Sequence, residues 1–311
     1  MNKILLTGCA GSIGSTLAKK LVDKGFFVVG IDNLSTGSMS KLHNLIDSQF
    51  FQFVRGDCND VSFVENIFSL HTFTYVFHFA AVVGVQRTQS NPLLVLDDIK
   101  GVRNILESCI SHKVQKIFYA SSSEVYGEPV EIPLFEDTSP LNSKVPYAVV
   151  KNVGESFVRS YNKKYDLDFT ILRFFNTYGP NQSTDFVVPL FLDCALKGND
   201  ISIYGDGSQY RTFCYIDDTV DTIFATLVDE QYSKNNTINI GSDVVHSILD
   251  LANKIINISK SKSSIKFIDP LPEGDMARRL PDIKKMRTLL LRDLIPLEEG
   301  ISKLIDFKNA S

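Results

Sequence analysis

Two side chains in the stretch "YAVVK", Tyr147 and Lys151, stand four residues apart. On a helix this spacing puts both on one face, about 6 Å apart along the axis. A phenol with a pKa of about 10 is a poor base at neutral pH. An ammonium near 4 Å, at an effective dielectric of about 20, favours the phenolate by roughly 4 kcal/mol. That is about three pKa units before desolvation takes its share. The same spacing also suits a solvated helix face, so neighbouring groups must decide. Upstream, "YASSSEVYG" ends an apolar run that reads as a strand. Its Ser122 can hydrogen-bond a substrate hydroxyl beside Tyr147. Glu124, two residues on, points to the same side if the strand continues. The alternative for this stretch is a plain hydrophilic turn.

A second group of residues could hold an anion. In "LLTGCAGSIG" the glycines fall at 8, 11 and 14, after an apolar strand and at the start of a helical pattern. Gly8 can take a sharp turn, Gly11 leaves the backbone open to a pyrophosphate, and Gly14 lets helix and strand pack closely. The N–H groups of Ser12, Ile13 and Gly14, at the positive end of that helix, favour negative charge. Asp32 closes the next strand, where a carboxylate can accept both hydroxyls of an adenosine ribose. A 2′-phosphate there would meet a like charge, so NAD is favoured over NADP. Asp57, at the end of the third strand, can hydrogen-bond an adenine edge. Bound NAD would bring a nicotinamide whose positive charge also favours the Tyr147 phenolate.

These groups need a scaffold. Near-continuous apolar runs predict strands over Lys3–Thr7, Phe26–Asp32, Phe50–Arg55, Tyr75–Phe79, Lys116–Ser121 and Asp168–Arg173, as expected where both sheet faces are covered. Helical periods lie between them, such as Ile13, Leu17 and Leu21. The alternation predicts an α/β fold, a doubly wound parallel sheet of the Rossmann type. After Arg173 the rhythm loosens into the loop "NTYGPNQSTDF", a helix from Val187 to about Lys197, a hairpin-like "YGDGSQYRTF", and helices after Asp217 and from His246. We expect a dinucleotide-binding domain over 1–175 and a smaller mixed α/β substrate-binding lobe over 176–311, with some segments crossing back.

The bulk properties narrow the classes. A chain of 311 residues with 44% hydrophobic and 22% charged residues can bury a sizeable core. A net charge of −4 argues against a nucleic-acid surface. No apolar run approaches the roughly 20 residues of a membrane span, which suggests a cytoplasmic protein. The five cysteines, 9, 58, 109, 194 and 214, and the five histidines show no metal-ligand spacing, so neither a metal site nor a disulfide framework is expected.

Taken in order, "TGCAGSIG", "DNLSTG", "GDCND", "VFHFAA", "SSSEVYG", "YAVVK", "RFFNTYGP" and "YGDGSQYRTFCYIDD" resemble the extended short-chain dehydrogenase/reductase family, in its NAD-dependent nucleotide-sugar epimerase/dehydratase branch. The resemblance spans nearly the whole chain. It implies that Tyr147 takes the proton of a sugar C4 hydroxyl as hydride passes to NAD. Lys151 holds the nicotinamide ribose, and Ser122 shares the hydroxyl hydrogen bond. Gly8, Gly11, Ser12, Ile13, Gly14, Asp32, Asn33, Asp57, Phe79 and Ala81 are then the cofactor-binding set, with Tyr147 and Lys151. Asn176 and Arg211 would hold the sugar diphosphate, Val188 and its neighbours would lie near the nucleotide base, and Arg279 would add positive charge. Two positions depart from the family pattern. Cys9 stands where a glycine or other small residue is usual, and Asp98 replaces an asparagine.

Branches of this family share oxidation at C4 and differ afterwards. The dehydratases commonly carry Asp-Glu before "VYG", whereas this chain has Ser123-Glu124. "SSEVYG" and "RRLPDI" resemble the UDP-glucuronate decarboxylases, in which a glutamate and an arginine act on the sugar. After "HFAA" the chain reads "VVGVQR", nearer the epimerases. The expectation is a 4-epimerase of a UDP-sugar. Decarboxylase and 4,6-dehydratase using Glu124 are the alternatives, and a non-catalytic NAD-binding regulator is the reading from another class. The helices Pro92–Ser111 and Ala148–Tyr165 carry apolar residues on more than one face, including Val150, Phe157 and Tyr161. The resemblance implies a homodimer through a four-helix bundle.

Overall fold

In the computed structural model the described residues are 2–84, 88, 90–269 and 279–310. The last three residues of "VVGVQR" and residues 272–278 of the charged segment before Arg279 lie outside them. All six expected strands form, each within one residue of its expected ends: β1 (Lys3–Thr7), β2 (Phe27–Asp32), β3 (Phe51–Arg55), β4 (Tyr75–His78), β5 (Lys116–Ser122) and β6 (Asp168–Phe174). Between them run helices α1 (Ser12–Asp23), α2 (Val61–Leu70), α3 (Pro92–Ser111) and α4 (Pro146–Tyr165).

Beyond β6 come β7 (Thr177–Tyr178), α5 (Val187–Leu196), β8 (Ile201–Tyr204), β9 (Tyr210–Thr212), β10 (Cys214–Tyr215) and α6 (Ile216–Val228). They are followed by β11 (Asn236–Ile240), β12 (Val245–Ser247), α7 (Ile248–Ser259), β13 (Ile265–Ile268), α8 (Lys284–Leu290) and α9 (Leu297–Ala310).

The main sheet has the order β11-β6-β5-β4-β1-β2-β3, with every pairing parallel. Strand order reverses between β1 and β4, and the crevice at their carboxyl ends is where a doubly wound sheet binds its ligand. Side chains alternate between two buried layers. Ile4, Leu6, Val28, Phe77 and Phe118 face one core, while Leu5, Val29, Val76, Ile117 and Tyr119 face the other. This two-sided burial explains the unbroken apolar runs, and each fully buried Leu, Ile or Val stabilises by about 1.5–3 kcal/mol.

The sheet's seventh strand, β11, returns from the far half of the chain to pair with β6. The second lobe is built from two-stranded pairs, β7 with β10, β8 with β13 and β9 with β12. The hairpin-like reading of "YGDGSQYRTF" is therefore corrected. Positive-φ glycines at 205 and 207 turn the chain, so that β8 runs parallel to β13 while β9 pairs antiparallel with β12.

Helix α4 lies against β5 because Gly154 has no side chain. A Cβ there would stand 2.0 Å from the Tyr119 hydroxyl oxygen. The apolar residues of α3 and α4 lie on more than one face, as expected. Val150 is buried with Val82 and Val95, and Phe157 and Tyr161 pack against the sheet's core. Leu93, Leu94 and Val149 face outward. No helix among the described residues is long and apolar enough to cross a membrane.

Candidate active site

A cleft of about 460 Å³ opens over the carboxyl ends of the strands. At one end lies the glycine loop. Gly8 has φ +71°, and a Cβ there would stand 2.8 Å from the Ala80 nitrogen, so two constraints require glycine. A Cβ on Gly14 would come within 2.1 Å of the Gly8 carbonyl oxygen, so helix and loop touch backbone to backbone. Gly11 is the N-cap of α1 and offers no capping side chain. The first N–H groups of the helix are left for a ligand. Cys9, the departure in this loop, is fully buried and packs over Gly30, where a Cβ would meet its Sγ at 2.7 Å.

Asp32 is fixed by the backbone around it. One carboxylate oxygen accepts from the Ala10 N–H at 2.9 Å and the other from the Leu34 N–H at 2.8 Å. Both oxygens keep lone pairs toward the cleft they line. Asp57 lies just beyond the end of β3 rather than within it. It accepts from Asn33 Nδ2 at 3.0 Å and from the Asn59 N–H at 2.8 Å. Ser12, Ile13, Phe79 and Ala81 line the same cleft. A bare helix N-terminus facing a fixed carboxylate, across a turn that no side chain can fill, fits a dinucleotide.

At the other end stand Tyr147, Lys151, Ser122 and Glu124. Tyr147 and Lys151 share one face of α4, but the expected balance between them is corrected. The Lys151 ammonium donates to the Ala120 carbonyl at 2.7 Å and lies 5.8 Å from the centre of the Tyr147 ring. Burial pushes the Tyr147 phenol well above its ordinary value, and nearby Glu124 and Asp98 add to the rise. The Ser122 hydroxyl and the Arg279 charge oppose it. Burial also lowers Lys151 to about 8, against the pull of Asp98. At neutral pH Tyr147 is therefore a phenol.

Glu124 reaches the cleft by a different route from the one expected. The strand stops at Ser122, whose hydroxyl accepts from the Glu124 N–H at 3.2 Å and caps a 3-10 turn over Ser123–Tyr126. Glu124 lies in that turn and forms an ion pair with Arg279 at 2.6 Å. Asn176 and Gln182 also line the cleft. Asn176 Nδ2, Gln182 Oε1 and Arg279 Nε are buried without a protein partner, a shortfall that a polar ligand would make good.

Two expected substrate residues fall elsewhere. The Val188 side chain is buried in the core shared with one face of the main sheet, and its neighbour Phe186 lines the cleft instead. Arg211 sits on β9 opposite His246, outside the cleft lining, and donates to the Tyr210 carbonyl at 2.8 Å. An arginine on a short antiparallel pair is directed by its register, which the motif alone does not reveal.

Three contributors carried no sequence signal. Thr7 and His78 are register partners on β1 and β4. The Thr7 hydroxyl lies 2.9 Å from His78 Nδ1 and accepts from the N–H groups of Phe79 and Ala80, which anchors the loop beneath the cleft. Lys41 lines the cleft, with burial lowering its pKa and Asp32 opposing that. Only the folding of the chain brings either group to the site. Asp98, singled out as a departure, accepts from the Val82 N–H at 2.7 Å, and burial raises its pKa.

The model of the NAD dependent epimerase/dehydratase family matches residues 4–241. The chain belongs to that family. It is 33% identical to a putative UDP-glucose 4-epimerase of Methanocaldococcus jannaschii, over 98% of this chain and 97% of that one. It is 32% identical to UDP-glucuronic acid decarboxylase 1 of Danio rerio, over 98% of this chain and 72% of that one. Among solved structures, the UDP-glucose 4-epimerase of Thermotoga maritima, determined with UDP-glucose, superimposes with a TM-score of 0.92 at 30% identity, over 99% of both chains. NAD is the cofactor of the family, and the site just described is built to take it.

Proposed function

We propose that this member of the family is a nucleotide-sugar 4-epimerase acting on a UDP-sugar. The observation that carries the reading is the pairing of Glu124 with Arg279 beside an otherwise complete Tyr147, Ser122 and Lys151 set. A 4,6-dehydratase needs one group to remove the C5 proton and another to expel the C6 hydroxyl. Here the one carboxylate of the turn is tied to an arginine, and Ser123 stands where a second acid would be. A 4-epimerase needs neither group.

The NAD, when bound, supplies the acceptor and then the donor of hydride at the sugar's C4. Tyr147 takes the proton of the 4-hydroxyl and later returns it, with Ser122 holding the same oxygen in line. Lys151, anchored on Ala120, fixes the ribose side of the site and keeps positive charge near the phenol. The 4-keto sugar must then present its other face. Asn176 and Arg279, each with a buried donor left over, hold the diphosphate side while it turns.

The Glu124–Arg279 pair also favours a second reading, decarboxylation of a UDP-uronate, in which the arginine meets the sugar carboxylate and frees Glu124. Product mass separates the two. The purified protein, incubated with UDP-, dTDP- and GDP-sugars including UDP-glucuronate, should return a product of unchanged mass and inverted C4. Loss of carbon dioxide would establish the decarboxylase, and loss of water the dehydratase.

Leu93 and Val149, exposed on α3 and α4, support a homodimer in which these helices meet a second copy's. Light scattering at micromolar concentration should give twice the 34.8 kDa chain mass, and a monomer would refute that part. Five free cysteines accord with a cytoplasmic, reducing setting.

A further inference from the structure

Behind the cleft lies a buried polar network that the chemistry above does not use. Glu155 follows Tyr147 and Lys151 on the same face of α4, at i+8 and i+4. Its carboxylate is held in a fork by Arg173 of β6, Nε to Oε1 at 2.8 Å and Nη2 to Oε2 at 2.7 Å. Both side chains are 2% exposed. Replacing such a pair with well-packed apolar residues is often neutral or stabilising, so stability alone does not account for it. What a fully bonded buried network supplies is one fixed arrangement.

Arg173 Nη1 donates to the Glu136 carbonyl at 3.0 Å and Arg159 stands 3.7 Å from Glu155 Oε2, and two further arms leave this pair toward the site. Toward β5, the Ser121 hydroxyl donates to Glu155 Oε1 at 2.6 Å, one residue before Ser122. Toward the second lobe, Arg173 Nη1 donates to the Tyr126 hydroxyl at 2.8 Å, and that hydroxyl donates to Asn239 Oδ1 at 2.7 Å. Asn239 Nδ2 in turn holds the carbonyl of Leu134 at 2.9 Å. Leu134 pairs with the segment after Arg279, its N–H bonded to the Leu280 carbonyl at 2.8 Å and its carbonyl to the Asp282 N–H at 2.9 Å. Tyr126 also ends the 3-10 turn that carries Glu124, the partner of Arg279. Two routes from one ion pair thus converge on Arg279.

We propose that Glu155–Arg173 is a positioning device that registers the Tyr147–Lys151 helix against both Ser122 and Arg279. Ser121 is the arm that serves the chemical step, and Tyr126 is the arm that serves substrate binding. The assignment rests on the C4-oxidation reading above, and its test separates the two. The variants Ser121→Ala and Tyr126→Phe remove one arm each and leave no charge unpaired, so both should fold. In the full-length, NAD-loaded protein, Ser121→Ala should lower kcat about 10-fold, with KM and calorimetric UDP affinity within about twofold. Tyr126→Phe should raise KM and weaken UDP binding about 10-fold, with kcat within about twofold. It should also speed amide exchange at Leu134 and Asp282, which Ser121→Ala should not. Parallel changes in kcat and KM in both variants would overturn the assignment. So would wild-type exchange rates in Tyr126→Phe, a result that needs no turnover to read. A wild type that turns over none of the sugar nucleotides counts against the function, and the exchange measurement still decides the coupling.

Discussion

The Lys151 ammonium is bonded to the Ala120 carbonyl at 2.7 Å and stands 5.8 Å from the Tyr147 ring centre. The lysine is thus an anchored charge, not a direct partner of the phenol. Lys151→Met should lower NAD affinity and C4 oxidation together, since it removes both the anchor and the charge. Tyr147→Phe should keep NAD bound and slow C4 oxidation by about 10²–10⁴-fold, the usual range for a general acid–base group. Cofactor retention read from absorbance, beside single-turnover kinetics, distinguishes the two variants.

Asp98 acts on both members of the pair. Its charge raises Lys151, which burial has lowered to about 8, and it also raises Tyr147. Removing that charge with Asp98→Asn lowers both. Both limbs of the pH–rate profile should therefore move to lower pH. A profile that stays in place would show that Asp98 is only a structural acceptor for the Val82 N–H.

Two glycines of the loop, Gly14 and Gly11, should fail differently. At Gly14 a Cβ would lie 2.1 Å from the Gly8 carbonyl oxygen, so Gly14→Ala must displace α1 and should cost about 1–3 kcal/mol of stability. At Gly11 the nearest atom is 3.3 Å away and φ is −75°. Gly11→Ala should therefore melt like the wild type and bind NAD at least about 10-fold more weakly. Thermal melting with and without NAD checks both.

How much of this was legible in the sequence follows from which forces are local. The strands of the main sheet could be read because Ile4 and Leu5 bury opposite faces of one strand, leaving an apolar run without polar interruption. The Tyr147–Lys151 spacing and the glycine loop are likewise properties of single segments. The position of Glu124 was not legible, because the Ser122 cap that ends the strand is a side-chain choice between turn and strand. The roles expected of Val188 and Arg211 depended on packing and register in the second lobe, where strands are two to four residues long. The burial of the Tyr147 phenol, which decides its protonation, is set by distant segments and carries no signal in "YAVVK".

His78 gives a stability prediction. Burial, with Lys151 nearby, lowers it to about 3 from an ordinary 6.5. Between those values the unfolded chain binds the proton and the folded one does not, so stability is lost as pH falls below about 6.5. Between pH 7 and 5 this group alone should cost about 2 kcal/mol. Urea unfolding of the wild type and of His78→Gln across that interval should show a shallower slope in the variant. Equal slopes would mean that His78 is not held neutral by the fold.

In the proposed reaction hydride leaves a sugar's C4 as Tyr147 takes the hydroxyl proton. The most direct measurement is rapid mixing of NAD-loaded protein with a UDP-sugar deuterated at C4, following reduced-nicotinamide absorbance. A transient slowed by deuterium, and absent in Tyr147→Phe, is the predicted result. A product formed with no transient and no isotope effect, or a transient of wild-type size and rate in Tyr147→Phe, would contradict it.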